Sequence, residues 1–114
     1  MGATMQQAII ELDPNTAKIW LDRQEAILID VREPSEYEEV RISQSILMPL
    51  GEITADKMPH LKAEQKIIVH CARGARSAKA IEKLKLVNPE LPLYNLAGGI
   101  TYWIQLGLPV IKGA

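Results

Sequence analysis

The residue types best suited to chemistry stand together at Cys71-Ala72-Arg73-Gly74-Ala75-Arg76-Ser77, around the chain's one cysteine. The β-branched run Ile67-Ile68-Val69 leads into His70-Cys71, and helical composition begins at Ser77. The thiol is therefore expected at the C-terminal edge of a strand, with Ala72, Arg73, Gly74, Ala75 and Arg76 as the connection. A short turn that hands over to a helix N-terminus aims backbone N–H groups at the sulfur, and Arg73 and Arg76 add positive charge. Those conditions favour a thiolate. A lone cysteine is commonly a small buried hydrophobe, but these neighbours argue for a nucleophile.

A thiolate in an N–H-lined cup with two guanidinium groups suits three kinds of work. It can attack a phosphate monoester, carry a sulfane sulfur as Cys–S–S⁻, or bind an anion without reacting. A phosphate-binding P-loop is excluded, because G-x-x-x-x-G-K-S/T does not occur. Cysteine-dependent phosphatases carry C-x5-R, whereas this chain reads Cys71-x4-Arg76, with Ser77 where their arginine would fall. The shorter loop makes a smaller cup, which fits one sulfur atom better than a tetrahedral phosphate. Phosphatase or arsenate reductase chemistry is thereby the weaker alternative.

Several elements must position that loop. Asp13-Pro14 reads as an N-cap and first position of a helix, with Ala17, Trp20 and Leu21 on its inner face and Trp20 as a core anchor. Ala26-Ile27-Leu28-Ile29-Asp30-Val31 is a continuous apolar strand ending in charge. Pro34 then breaks the strand, Ser35-Glu36-Tyr37-Glu38-Glu39 reads as a short helix with acidic residues near its start, and Asp30 and Arg32 at the strand end are expected to fix the following loop. Ile46 to Leu50 reads as a short strand, Gly51 to Leu61 as one or two helical turns with His60 exposed, and Ser77 to Val87 as a helix with Ala80, Ile81, Leu84 and Val87 inward. Leu91 to Leu96 is a further strand candidate, Ala97-Gly98-Gly99 a turn, and Ile100 to Leu106 a last helix closed by Gly107. Strands alternating with helices predict an α/β domain with a mainly parallel sheet, whose ligands bind outside the carboxyl ends of the strands. Side-chain alternation turns His70 to the opposite side of the strand from Cys71, so His70 is not a base for it.

At 114 residues the chain is expected to form one domain, 1–114. A net charge of −1 supplies no global field for nucleic acid or an anionic membrane, and no apolar run approaches the roughly 20 residues of a membrane helix. Met1 to Gln7 shows neither a basic segment nor an apolar signal core, which predicts a cytoplasmic protein. One cysteine and two histidines without metal-ligand spacing predict no structural zinc, no internal disulfide and no cofactor.

Three segments in order resemble the rhodanese-like sulfurtransferases. Ile29-Asp30-Val31-Arg32-Glu33-Pro34-Ser35-Glu36-Tyr37 is similar to that family's D-V-R-x-x-x-E-Y/F, Cys71 to Ser77 to its six-residue active loop, and Leu96-Ala97-Gly98-Gly99-Ile100-Thr101-Tyr102-Trp103 to its closing L-x-G-G-x-x-x-W. The resemblance spans about 16 to 110. It implies a three-layer α/β/α fold with a five-stranded parallel sheet, Cys71 as persulfide carrier, and a small-molecule donor and acceptor such as thiosulfate, cyanide or thiols, with a protein sulfur acceptor as a further partner. Ala72, Arg73, Gly74, Ala75 and Arg76 would then bind the donor, supported from outside by Asp30 and Arg32. Arg73 and Arg76 are similar to the thiosulfate-using branch. Ala72 departs from its usual arginine, and Arg41-Ile42-Ser43-Gln44-Ser45-Ile46 departs from the common H-I-x-G-A. A rhodanese-like module that binds a partner, or delivers sulfur only within a complex, is the alternative of a different class.

Overall fold

The structure, a computed structural model, describes residues 8–113. The reading of Met1 to Gln7 lies outside them. A five-stranded sheet forms the middle layer, in the order β1 (Glu11–Leu12), β6 (Leu93–Leu96), β5 (Lys66–His70), β2 (Ala26–Asp30), β4 (Ile46–Leu47). Every pairing in it is parallel. The two central strands run in register from Ala26 opposite Lys66 to Asp30 opposite His70, so both end at one level. That shared edge is where Asp30, His70 and Cys71 meet.

Strands buried on both faces require helices on both sides. On one side Leu12, Ala17, Leu21, Leu28, Ile68, Leu96, Ile100 and Trp103 form a cluster with α1 (Pro14–Asp22) and α4 (Gly99–Gln105). On the other, Ile29, Val31, Ile53, Ile67, Val69 and Cys71 pack against Ala80, Ile81 and Leu84 of α3 (Ala75–Val87). Asp13 caps α1 by accepting the Thr16 N–H at 3.1 Å, and Pro14 stands at its start, as the sequence predicts. The 51–61 segment makes a single 3₁₀ turn at Ala55–Lys57.

Four expectations change. Trp20 is only half-buried, edge-on to Tyr94 at 5.1 Å with Lys66 Nζ over its ring; the buried anchor is Trp103, whose Nε1–H donates to the Pro109 carbonyl at 2.8 Å. Val87 is 72% exposed, and Leu84 is the last residue of α3 that the core buries before Asn88 ends the helix. Helix α3 begins at Ala75, so Ala75 and Arg76 belong to its first turn and not to the connection. Strand β1 and the antiparallel pair of β3 (Val40–Arg41) with β7 (Ile111–Lys112) went unread, each being two residues long. Among the described residues no helix is long and apolar enough to cross a membrane.

Candidate active site

Cys71 leaves the end of β5 with its side chain 1% exposed. Its Sγ accepts the Gly74 N–H at 3.0 Å and lies 3.3 Å from Ser77 Oγ. Burial pushes the thiol up, but the hydrogen bonds the loop aims at it, the backbone N–H groups of Ser77, Gly74 and Arg73 among them, outweigh it and bring it below its ordinary value. Gly74 makes the turn possible: it caps α3 at φ +111°, a left-handed conformation strained for any residue with a Cβ. The chain thus winds from strand into helix around the sulfur, and N–H groups of one turn converge on it.

The floor of this cup comes from the other end of the domain. Ile100 and Thr101, in the first turn of α4, donate their N–H groups to the carbonyls of Cys71 and Ala72, both at 3.0 Å. The approach is so close that a Cβ on Gly99 would stand 2.5 Å from the Ala72 carbonyl carbon and oxygen. With those carbonyls tied underneath, the N–H groups that follow face the sulfur.

The two arginines differ. Arg73 is exposed, and its side chain has no ion pair among the described residues. Arg76 is half-buried and grips Glu36 of α2 (Pro34–Glu39) with both prongs of its guanidinium, at 2.7 and 2.9 Å. This pairing holds the Glu36 carboxyl down at about 2, and Glu36 in turn raises Arg76. Glu36 also accepts the Glu33 N–H at 2.9 Å, so one carboxylate both caps its own helix and fixes the rim arginine. Both prongs of Arg76 are thus engaged by Glu36. The sequence reading used Glu36 only as an acidic helix start; its place in the D-V-R-x-x-x-E-Y segment was the signal. The neighbouring Tyr37 hydroxyl donates to the Ser45 carbonyl at 2.9 Å, which seats α2 on the 42–45 turn.

Asp30 and Arg32 lie beneath the loop without touching the sulfur. Arg32 donates to both Asp30 oxygens at 2.8 to 3.1 Å and to the Val40 carbonyl at 2.6 Å, with both side chains almost wholly buried. His70 stands between them and the loop: Nε2 is 3.4 Å from Asp30 Oδ2, and Nδ1 is 3.2 Å from the Cys71 carbonyl. Burial, against the pull of Asp30 and the Cys71 carbonyl, lowers the imidazole's pKa. Its ring makes no contact with Sγ, in keeping with the alternation argument, yet it reaches the loop's backbone.

A second polar group behind the sulfur was not read from the sequence. Ser77 Oγ donates to Asn95 Oδ1, and Asn95 Nδ2 donates to Glu11 Oε2 at 2.9 Å and to the Gly74 carbonyl at 3.2 Å. Ser77 and Asn95 are buried. An asparagine in a strand otherwise apolar, Leu93-Tyr94-Asn95-Leu96, was the available signal.

The rhodanese-like domain family matches residues 13–106. The chain belongs to that family. A protein of Allochromatium vinosum named sulfurtransferase is 30% identical over 90 residues, covering 79% of this chain and 82% of that one. An uncharacterised Synechocystis protein is 28% identical over 110 residues, 96% of this chain and 60% of the relative's length. This rhodanese-like domain therefore spans about 60% of that relative. The crystal structure of a thiosulfate sulfurtransferase from Pseudomonas aeruginosa superimposes with a TM-score of 0.75 at 26% identity, over 93% of this chain and 21% of that one. The five-stranded parallel sheet between helices is thus the rhodanese fold.

Proposed function

We propose that this rhodanese-like domain is a sulfurtransferase that takes a sulfane sulfur from thiosulfate, or a related persulfide donor, onto Cys71 and passes it to a thiophilic acceptor. The observation that carries the reading is the cup of N–H groups closed on a single sulfur atom, with Gly74 N–H at 3.0 Å from Sγ. In the first step the Cys71 thiolate attacks the outer sulfur of thiosulfate; an Sγ–S bond forms, and sulfite leaves with the electron pair of the broken S–S bond. In the second, cyanide or a thiolate attacks the terminal sulfur and Cys71 departs as thiolate. The Gly74, Arg73 and Ser77 N–H groups stabilise the negative sulfur in both states, because they are already aimed at it.

The other roles follow from position. Arg73, exposed and unpaired among the described residues, holds the sulfonate end of the donor. Arg76 supplies charge near the sulfur while Glu36 occupies its prongs. Ala72 and Ala75 keep the loop free of bulk, and Asp30 and Arg32 hold the strand ends on which it rests. A cysteine of a protein acceptor fits the second step as well as cyanide does, and the cytoplasm is the compartment proposed.

Mass spectrometry of the purified protein before and after thiosulfate tests the reading: Cys71 gains one sulfur atom, which cyanide then removes as thiocyanate. Cys71→Ser abolishes both. A protein that stays unmodified, or a Cys71→Ser variant that still makes thiocyanate, overturns the mechanism and leaves a partner-binding module.

A further inference from the structure

Ser77 Oγ lies between two groups that both want its single proton: Asn95 Oδ1, to which it donates, and Cys71 Sγ at 3.3 Å. Asn95 decides which one receives it. Its Nδ2 faces the Glu11 carboxylate and the Gly74 carbonyl, groups that can only accept, so the amide oxygen has to face Ser77. A flipped amide would set oxygen against oxygen at both of those contacts. With its proton committed to Asn95, Ser77 presents a lone pair to the sulfur, and a lone pair accepts from S–H but repels S⁻. Cys71, Ser77 and Asn95 are 1%, 0% and 2% exposed, so their mutual hydrogen bonds dominate.

We propose that Asn95 is a positioning residue that fixes the direction of the Ser77 hydroxyl, so that Ser77 accepts from the resting Cys71 thiol instead of donating to its thiolate. The proposal rests on Cys71 being the reacting sulfur. Under it the backbone N–H groups of Gly74, Arg73 and Ser77, which cannot turn away, stabilise the thiolate without help from the hydroxyl. The hydroxyl acts as a brake, and a resting protein keeps more of its cysteine protonated than the cup by itself would allow. The remaining charged and titratable groups around Cys71 are Arg76 with its partner Glu36, the exposed Arg73, His70 at the Cys71 carbonyl, and the Asp30–Arg32 pair below. Glu11 stands at the far end of the hydrogen-bond chain. All of them are retained in the variants that follow.

The thiol is titrated by its rate of alkylation with iodoacetamide against pH, a measurement that needs no sulfur transfer and so stands if the persulfide reading fails. Ser77→Ala removes an acceptor of S–H and leaves the alkylation midpoint unchanged or lower. Asn95→Ala frees the hydroxyl to donate to S⁻ and lowers the midpoint by about one pH unit, the worth of one hydrogen bond to a charged group. In Ser77→Ala/Asn95→Ala that fall disappears, which a general loosening of the loop would not produce. A midpoint raised by Ser77→Ala, or left in place by Asn95→Ala, overturns the proposal. Should Asn95→Ala not fold, Ser77→Ala decides by its sign alone: a rise overturns, no rise supports.

Discussion

Two arginine–carboxylate forks bracket the reactive loop, and they are built for opposite purposes. Asp30–Arg32 sits under the strand ends with side chains 0% and 3% exposed; Glu36–Arg76 sits at the rim with 33% and 35%. The buried pair is surrounded by further obligations, since Asp30 also accepts the Arg32 N–H at 2.9 Å and Arg32 also donates to the Val40 carbonyl. Removing either member strands a charge out of water. The rim pair can exchange each partner for water, so it holds geometry at little energetic risk. Rigidity is thus invested below the sulfur, and adjustable charge is placed beside it.

That contrast can be broken by four measurements. Asp30→Ala leaves Arg32 buried without its partner and is expected to lower stability to urea by about 3 kcal/mol or more; a loss below about 1 kcal/mol would show the lower fork to be dispensable. Arg32→Lys keeps the charge but loses the planar fork and with it the simultaneous reach to Asp30 and Val40, for a loss of about 1–2 kcal/mol by the same unfolding experiment. At the rim, Arg76→Ala changes stability by no more than about 1 kcal/mol. Its kinetic effect is expected to be a smaller rise in the thiosulfate KM than Arg73→Ala produces, because Arg73 has no competing carboxylate. Equal rises would return Arg76 to the donor clamp.

The smallest effect is in acid. Glu36 has its carboxyl lowered from 4.5 to about 2 by the folded structure, so its contribution is present above the ordinary value and is lost as pH falls toward 2. The stability gap between the protein and Glu36→Gln should be constant above about pH 4.5, amount to no more than about 1 kcal/mol, and close by about pH 2. A gap that widens on acidification would mean that the fork is not what holds Glu36 down.

Much of the site was legible because it is local. Strand, cysteine, glycine turn and helix follow one another within Lys66 to Ala80, and continuous apolar runs marked both central strands. What stayed hidden is what joins distant stretches. Arg76 meets Glu36 across 40 residues, and Asn95 meets Glu11 across 84. No periodicity reports such pairs. Strand β1 was masked for a different reason: two residues between an apolar lead and the Asp13 cap carry too little pattern to show alternation. Val87 failed because a 3.6-residue stripe shows which face is apolar but not how far along the helix the packing continues. The L-x-G-G segment was recognisable as a motif, while its physical reason, the 2.5 Å approach of a would-be Gly99 Cβ to Ala72, exists only in the folded chain.

The α4 floor ties the reactive loop to a later part of the chain. Cys71 leaves its strand well before Ile100 and Thr101 are reached, yet those two N–H groups are what hold the Cys71 and Ala72 carbonyls down. Without α4 in place, the Cys71 and Ala72 carbonyls lack the two N–H partners that tie them beneath the loop. The shape of the cup is therefore a property of the completed fold and not of the Cys71 to Arg76 stretch by itself.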